Sequence, residues 1–447
     1  MAFFRSITHK MENWMQNEGR KPLILRGARQ TGKTTLVRDF GLKFDSFIEL
    51  NLEKKADSDL FERDLPVKDL FQSICLEKNV VPGAKTLLFI DEIQNSPKVV
   101  AMLRYFYEEM PELYVVGAGS LLEVMMERHK ISFPVGRVEY LYLFPMTFEE
   151  FLDAIGEEAA LKMFREPEIP AFAHNKLESL FNLYTFIGGM PEVVARYAAT
   201  RDMAQLKPVY ESLITSYKDD VPKYAKTLSE ANIIRHVIET APYETGKRIK
   251  FEHFGNGNYK SREVGESLKI LERAMFLYLR YPVNGHELPL APNFKMHPRL
   301  QFLDTGLLNY ALGLTNLYFS ETPLSNAYNG MIAEHIVGQE LLAAQNDVLQ
   351  KPILWVREKK QANAEVDFMI VQDAKVIPVE VKSGSSGTLR SLHSFIEESG
   401  IDYALRLYCG PKSIEKNETP KERKPYTLVN LPLYYAGKIN YLATSFA

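Results

Sequence analysis

The feature that most constrains this chain is a glycine-rich loop placed between an apolar run and a helix with one apolar face. The loop reads GARQTGKT from Gly27 to Thr34 and directly follows the strand-like residues Leu23 to Leu25. It fits the phosphate-binding pattern GxxxxGK[ST] in the strand–loop–helix order that the pattern requires. A chain with this loop is expected to form a parallel α/β sheet with a phosphate site at the carboxyl ends of its strands.

The residue types of the loop suit a nucleoside triphosphate. Backbone N–H groups wrap the phosphates, and the N-terminus of the following helix adds partial positive charge. Lys33 is expected to reach the β and γ phosphates and the Thr34 hydroxyl to bind Mg²⁺, so ATP and Mg²⁺ are the predicted cofactors. The predicted nucleotide contacts in this region are Gly27, Ala28, Arg29, Gln30, Thr31, Gly32, Lys33, Thr34 and Thr35.

An acidic pair after a second apolar run supports the same interpretation. The stretch KTLLFIDEIQ predicts a strand over Leu87 to Ile90 that ends in Asp91 and Glu92. Asp91 is expected to hold Mg²⁺ through water, and Glu92 to orient or deprotonate the attacking water, so Glu92 and Lys33 are the predicted catalytic residues. With both motifs present, a coincidental match in a glycine-rich turn is the weaker explanation.

Two further residues are candidate contacts of the γ phosphate. Ser120 ends the predicted strand LYVVGAGS, where it contacts either the phosphate or the attacking water. The alternative is a polar strand end that turns into the next helix through glycines. Arg137 is a candidate γ-phosphate sensor in its own subunit or a finger acting on a neighbouring one, and a structural salt bridge is its alternative.

The order of these motifs resembles that of a known family. The segments GARQTGKTT, LLFIDEIQ, GAGS, GRVEYLYLFPMTFEEFL and IGGMPEVV look like the AAA-type ATPases of bacteria and archaea close to the archaeal ATPase family. The later KMHPRLQFLDTGLLNYALG, EVDFMIV and PVEVKSG resemble the C-terminal half of that family, whose function is unknown. The resemblance implies an ATP-binding fold with Lys33, Thr34, Asp91 and Glu92 in the roles given above. The loop differs at Ala28 and Gln30, where proline and a second arginine are common.

Length and composition set the broad class. A chain of 447 residues exceeds one ordinary core, and we predict three domains over residues 1–200, 201–322 and 323–447. Hydrophobic content of 46% suits a globular protein, and the two cysteines, Cys75 and Cys409, show no metal-type spacing. Because no apolar run approaches the roughly 18 residues that cross a bilayer, we expect no membrane contact and a cytoplasmic location.

The middle segment has the outline of a winged helix. SREVGESLKILERAM, from Ser261 to Met275, predicts an amphipathic helix, and FLYLRYPV predicts a strand after it. The basic residues near this presumed recognition helix are candidate phosphate contacts for DNA or RNA; they are Lys247, Arg248, Lys250, Lys260 and Arg262. A solvated charged surface on a helical spacer, or a protein contact, explains the same residues.

The C-terminal third carries a second set of chemical groups. A helix over Asn326 to Gln345 presents Glu334, and two predicted strands place Asp367 beside Glu380 and Lys382. This arrangement resembles the PD-(D/E)XK nucleases. Glu334, Asp367 and Glu380 are then the predicted ligands of Mg²⁺ or Mn²⁺, and Lys382 stabilises developing charge as a catalytic residue. A structural ion pair between Lys382 and a carboxylate is the alternative.

The sequence therefore predicts an α/β protein with a P-loop NTPase domain, a helical winged-helix-like middle domain and a C-terminal PD-(D/E)XK nuclease-like domain. One hypothesis is a Mg²⁺-dependent ATPase coupled to nuclease chemistry on nucleic acid. The other is an ATP-driven switch or adaptor whose C-terminal domain only binds nucleic acid or a protein partner. Assembly into a homo-oligomer fits either one. Arg357, Lys359 and Lys360 are further candidates for guiding a phosphate backbone.

Overall fold

A computed structural model describes residues 3–120, 122, 124, 136–314, 326–345, 351–357, 363–384 and 387–439. Lys359 and Lys360 lie outside these residues. The chain forms two compact units. The first contains residues 1–144, 219–231 and 269–276, and the second contains residues 145–218, 232–268 and 277–447.

The first unit is built on a five-stranded parallel sheet. Its strands are β1 (Leu23–Gly27), β2 (Ser46–Asn51), β3 (Thr86–Asp91), β4 (Tyr114–Gly119) and β5 (Glu139–Leu143). They lie in the order β2-β3-β4-β1-β5, so β4 separates the strand before the glycine-rich loop from the strand before Asp91. All residues of β3 and β4 are buried, as expected for central parallel strands with both faces covered.

Helices cover both faces of this sheet. In the first 144 residues they are α1 (Thr8–Gln16), α2 (Lys33–Gly41), α3 (Lys55–Glu62), α4 (Val67–Glu77) and α5 (Pro97–Glu109). The last of these begins after Ser96, whose hydroxyl accepts a hydrogen bond from the Val99 N–H, with Pro97 at its first position. The predicted strand–loop–helix order around Gly27 is thus confirmed.

The second unit begins with helices and continues into sheets. The helices described after residue 144 are Phe148–Ala154, Glu158–Arg165, His174–Ile187, Pro191–Thr200, Lys207–Asp219, Val221–Tyr224, Leu228–Glu244, Ser261–Arg273, Thr305–Ala311, Asn326–Gln345 and Arg390–Ser399. The predicted helix from Ser261 ends two residues earlier than expected, at Arg273. Strands β6 (Leu277–Arg280) and β8 (Arg299–Phe302), which follow it in the chain, pair antiparallel. A helical middle segment is confirmed, and its winged-helix identity stays a prediction.

The C-terminal part contains a seven-stranded mixed sheet. Its strands are β7 (Pro282–Val283), β9 (Ile353–Arg357), β10 (Ala364–Gln372), β11 (Lys375–Val381), β12 (Tyr403–Tyr408), β13 (Ser413–Glu418) and β14 (Pro425–Pro432). Strands β10 and β11 form the predicted antiparallel hairpin, joined by Asp373 and Ala374, which both have positive φ as in a tight two-residue hairpin turn. Asp367 lies inside β10 instead of opening it, because the strand already begins at Ala364.

Within the described part of the chain, every helix is too short or too polar to span a bilayer.

Candidate nucleotide-binding site

The glycine-rich loop connects the end of β1 to the start of α2. Gly32 has φ of 92°, a left-handed conformation that glycine adopts without strain, and Lys33 opens the helix directly after it. A Cβ on Gly27 would lie 2.5 Å from the Leu143 carbonyl oxygen, so only glycine lets the loop leave the sheet this close to β5. The turn therefore depends on both glycines of the motif.

Lys33 is buried, and its ammonium group binds the loop itself. Its Nζ donates to the carbonyl oxygens of Gly27, at 3.0 Å, and Ala28, at 2.8 Å. Burial lowers the pKa of Lys33 to about 8, an effect that the carboxylates of Glu92 and Asp91 oppose and that Arg29 reinforces. A phosphate oxygen would offer this ammonium a full negative charge in place of two neutral carbonyls.

Thr34 and Asp91 bring two hard oxygen atoms together. The Thr34 hydroxyl donates to Asp91 Oδ2 at 2.8 Å, which joins the start of α2 to the end of β3. Burial raises the pKa of Asp91, while this hydrogen bond lowers it. A hydroxyl and a carboxylate are ligands that suit Mg²⁺, so these residues fit the predicted metal.

Glu92 follows Asp91 in an uncommon backbone conformation. Its φ is 53° and its ψ is 42°, in the left-handed region that non-glycine residues seldom adopt. The Glu92 carboxylate accepts a hydrogen bond from the side-chain amide of Gln94. Backbone strain of this kind concentrates at functional sites, and here it lies at the predicted catalytic residue.

The structure adds two charged residues that sequence patterns did not indicate. Arg5 is buried and donates to the carbonyl oxygens of Thr31, at 2.9 Å, and Phe144, at 2.6 Å, which anchors the loop from below. Asp220 is buried and pairs with Arg29, 191 positions earlier in the chain. No local motif marks either residue, because each acts on a segment distant in sequence.

The two candidate γ-phosphate contacts lie in different places. Ser120 is buried at the end of β4, between the ends of β1 and β3, and its contact with the γ phosphate stays a prediction. Arg137 instead precedes β5, and its Nε donates to Glu108 Oε1 at 2.9 Å. The glycine-rich loop follows the carboxyl end of β1, which pairs parallel with β5, whereas Arg137 precedes the amino end of β5. The two ends are roughly 20 Å apart along the strand direction. The pair with Glu108 is the structural salt bridge of the alternative, and both the sensor role and the finger role of Arg137 stay predictions.

The C-terminal candidates also meet, but around an arginine. Arg299 pairs with Glu334 and with Glu365, and its Nη1 lies 3.4 Å from Asp367 Oδ1. Arg280 is fully buried behind it, 3.4 Å from Glu334 and donating to the Asp367 carbonyl at 2.7 Å. Two guanidinium groups, with three carboxylates around them, thus occupy the centre of the predicted second site.

The opposite end of this group contains Glu380 and Lys382. Lys382 Nζ donates to Glu380 Oε1 at 2.7 Å, and the Val381 N–H donates to Asp367 Oδ2 at 2.9 Å. Burial and the neighbouring Asp367 carboxylate raise the pKa of Glu380, and Lys382 opposes that rise. The ion pair that sequence analysis left as an alternative is present.

The predicted C-terminal metal ligands do not fit a divalent cation in this arrangement. Among the described residues, no group of three or more His, Cys, Asp or Glu side chains is arranged to hold a metal ion. Arg299 binds Glu334 and Asp367, and Lys382 binds Glu380 Oε1, so each predicted ligand already contacts a cation of the protein. Their role as metal ligands stays a prediction.

The basic residues of the middle segment lie mostly at the surface. Lys247, Lys250, Lys260 and Arg262 are exposed, and Arg248 is half-buried. Lys247 lies 3.6 Å from Glu244, the last residue of the helix before it, and Arg262 lies 3.5 Å from Glu266 within its own helix. Such pairs are typical of a solvated surface, and a nucleic-acid contact stays a prediction.

Family comparisons match three consecutive parts of the chain. Residues 19–152 match the AAA domain, residues 178–318 match a domain of unknown function, DUF8612, and residues 329–434 match another, DUF4143. With the parallel sheet and the loop, the first match defines the N-terminal part as an AAA-type P-loop ATPase domain. The other two matches name no activity. A comparison with curated proteins found no match.

Solved structures give distant likenesses. A Walker-type ATPase of Pyrococcus abyssi shares 15% identity with a TM-score of 0.46, covering 69% of this chain and 96% of that one. The Aeropyrum pernix ORC2 protein shares 10% sequence identity with a TM-score of 0.29, covering 71% of this chain and 95% of that one. The ORC1 protein of the same organism, solved with DNA, shares 15% identity with a TM-score of 0.26, covering 70% of this chain and 93% of that one.

Proposed function

We propose that the first unit binds ATP with Mg²⁺ and hydrolyses it. The observation that carries this proposal is the convergence of three groups at one sheet edge. Lys33 offers an ammonium group bound to two loop carbonyls, Thr34 and Asp91 offer paired oxygens, and Glu92 follows directly. Lys33 would hold the β and γ phosphates, and Thr34 and Asp91 would hold Mg²⁺.

In the proposed hydrolysis, different residues of this chain would act on the water, on the γ phosphate and on the loop. Bound Mg²⁺ would neutralise charge that develops on the phosphate oxygens. Glu92 would accept a proton from the attacking water, and Ser120 would contact the γ phosphate or that water from the end of β4. Arg5 and Asp220 would support the loop through Thr31 and Arg29 without touching the nucleotide.

Phosphate release by the purified chain tests this proposal. We expect wild-type protein to release phosphate from ATP only with Mg²⁺. The isostere Glu92→Gln should bind ATP with unchanged affinity and lose at least about 100-fold in rate, because it lacks the base. Equal rates for wild type and Glu92→Gln would contradict the assignment.

For the C-terminal domain we propose binding to nucleic acid or to a protein partner, without cleavage. The pairing of Arg299 with three carboxylates supports this adaptor hypothesis, because metal-dependent cleavage needs those carboxylates for a cation. ATP hydrolysis in the first unit would then drive a switch.

The nuclease hypothesis makes the opposite prediction for Asp367→Ala. Metal-dependent cleavage of DNA or RNA by wild type, lost in this variant while ATP hydrolysis persists, would restore it. Absence of cleavage by wild type on single- and double-stranded DNA and RNA with Mg²⁺ or Mn²⁺ supports the adaptor.

A further inference from the structure

Gln94 is a buried polar residue beside Glu92, the predicted base. It lies in the single helical turn Ile93–Asn95 after β3, and only 5% of it is exposed. Its Nε2 donates to the Glu92 carboxylate. Its Oε1 is buried and has no hydrogen-bond partner among the residues that the structure describes. A buried acceptor without a donor is costly and calls for an explanation.

The backbone around Gln94 is built to admit this side chain. A Cβ on Gly119 would lie 2.2 Å from Gln94 Oε1, and one on Gly117 would lie 2.7 Å from Ile93 Cδ1. The two glycines share one face of β4, since side chains alternate along a strand. Because neither glycine has a side chain, the Gln94 carboxamide and the Ile93 side chain can pack against the backbone of β4.

Position and chemistry together point to the attacking water. The side chain joins Glu92, the proposed base, to the strand end that carries Ser120. Its Nε2 amide group donates to the Glu92 carboxylate, and its Oε1 is an acceptor that requires an O–H or N–H group. A water placed between Glu92 and the γ phosphate has two protons, and the base accepts only one of them.

We propose that Gln94 is a positioning residue for ATP hydrolysis, which fixes the Glu92 carboxylate through Nε2 and orients the attacking water through Oε1. This inference rests on the proposed ATPase function. The water oxygen bonds to the γ phosphorus, and the bond from that phosphorus to the β–γ bridging oxygen breaks, its electron pair leaving with ADP. One water proton moves to Glu92, and the other remains on the phosphate product, hydrogen-bonded to Gln94 Oε1.

The alternative is a purely structural role, in which the carboxamide only fills the space between β3 and β4. The two roles predict different kinetics. Loss of a filler changes the folded stability and the nucleotide site together, whereas loss of a positioning group lowers kcat and leaves the KM for ATP unchanged.

Gln94→Ala, with Asn95→Ala as a matched control, tests the inference. Asn95 belongs to the same turn and is exposed. We expect Gln94→Ala to lower kcat at least tenfold with KM for ATP within twofold, and Asn95→Ala to match wild type. In Gln94→Glu two carboxyl groups would share a proton, so the pH at which hydrolysis reaches half its maximum should move upward.

Each outcome decides a different claim. If wild type hydrolyses ATP and Gln94→Ala retains its kcat, the inference is overturned while the ATPase stands. If kcat falls together with ATP affinity and melting temperature, and Gln94→Glu keeps the wild-type pH profile, Gln94 is only structural. If wild type releases no phosphate although it binds ATP, the proposed hydrolysis itself fails.

Discussion

The nucleotide site of the first unit and the acidic cluster of the second, formed by Glu334, Glu365, Asp367 and Glu380, contain similar residue types. Their charged groups bind different partners. Each has two or more carboxylates and a lysine near a strand end. In the nucleotide site, Lys33 binds neutral carbonyl oxygens, which a phosphate can replace. In the cluster, Arg299 binds three carboxylates, and Lys382 binds a fourth.

This difference separates a lysine that binds neutral carbonyl oxygens from carboxylates that already bind cations of the protein. Burying a charge is expensive unless an opposite charge or hydrogen bonds compensate it. Lys33 has only partial compensation, and its lowered pKa reflects that deficit. Arg299 already binds Glu334, Glu365 and Asp367, so a metal ion would have to displace a guanidinium group to bind these carboxylates.

Removing the central arginine should produce the largest effect. Arg299→Ala leaves Glu334, Glu365 and Asp367 without their main cation, and we expect the free energy of unfolding to fall by about 3–5 kcal/mol. Urea unfolding measures this, and the exposed Arg262→Ala should stay within about 0.5 kcal/mol of wild type.

Lys33→Ala sharpens the same comparison. Because functional charges are held at some expense to stability, we expect this variant to change the free energy of unfolding by less than about 1 kcal/mol. A loss at Lys33 as large as that at Arg299 would erase the distinction between the two regions.

A buried carboxylate that accepts hydrogen bonds from a hydroxyl and a backbone N–H should give an intermediate effect. Burial raises the pKa of Glu340 to about 7, although the Tyr184 hydroxyl and the Phe148 N–H, at 2.7 and 3.0 Å, oppose the rise. The folded pKa lies above the unfolded value, so this stability is present below about pH 4.5 and is lost as pH rises through about 7. At pH 8, Glu340→Gln should exceed wild type by about 2 kcal/mol.

Unfolding curves between pH 4.5 and 8 test this trend. The advantage of Glu340→Gln should vanish at the acidic end, where wild-type Glu340 carries its proton in both states. A constant difference between the two proteins across this range would show that Glu340 does not titrate as its burial implies.

The smallest effect concerns the pH dependence of ATP binding. Phosphates should raise the pKa of Lys33 above its value of about 8 in the free protein. ATP affinity should then be constant below pH 8 and fall above it, by at most about tenfold per pH unit. Lys33→Arg, which keeps its charge, should show no such fall. Parallel curves for wild type and Lys33→Arg would contradict a titrating Lys33.

Sequence patterns predict local structure well here because the decisive residues are neighbours. The loop, the acidic strand end and the β10–β11 hairpin each occupy one short segment, so spacing alone indicates their geometry. The partners that complete each site are distant. Arg5 with Thr31, Asp220 with Arg29, and Arg299 with its carboxylates come together only through tertiary packing, which spacing does not encode.

Gln94 illustrates a different limit. It lies two positions after Glu92, so the sequence alone indicates that the two residues are close. Its burial and its unpaired oxygen, however, depend on glycines of β4, which are distant in sequence. Arg137 shows the converse. It follows Gly136 in a segment that looks suited to a phosphate contact, yet the direction of β5 places it at the far end of the sheet.

Calorimetric titration with a non-hydrolysable ATP analogue and Mg²⁺ tests the central claim most directly, using wild type and Lys33→Ala. We predict one site per chain for wild type, weakened by omitting Mg²⁺, and no detectable heat of binding for Lys33→Ala. Equal affinities in the two proteins would contradict the assignment of Gly27 to Thr34 as the phosphate site.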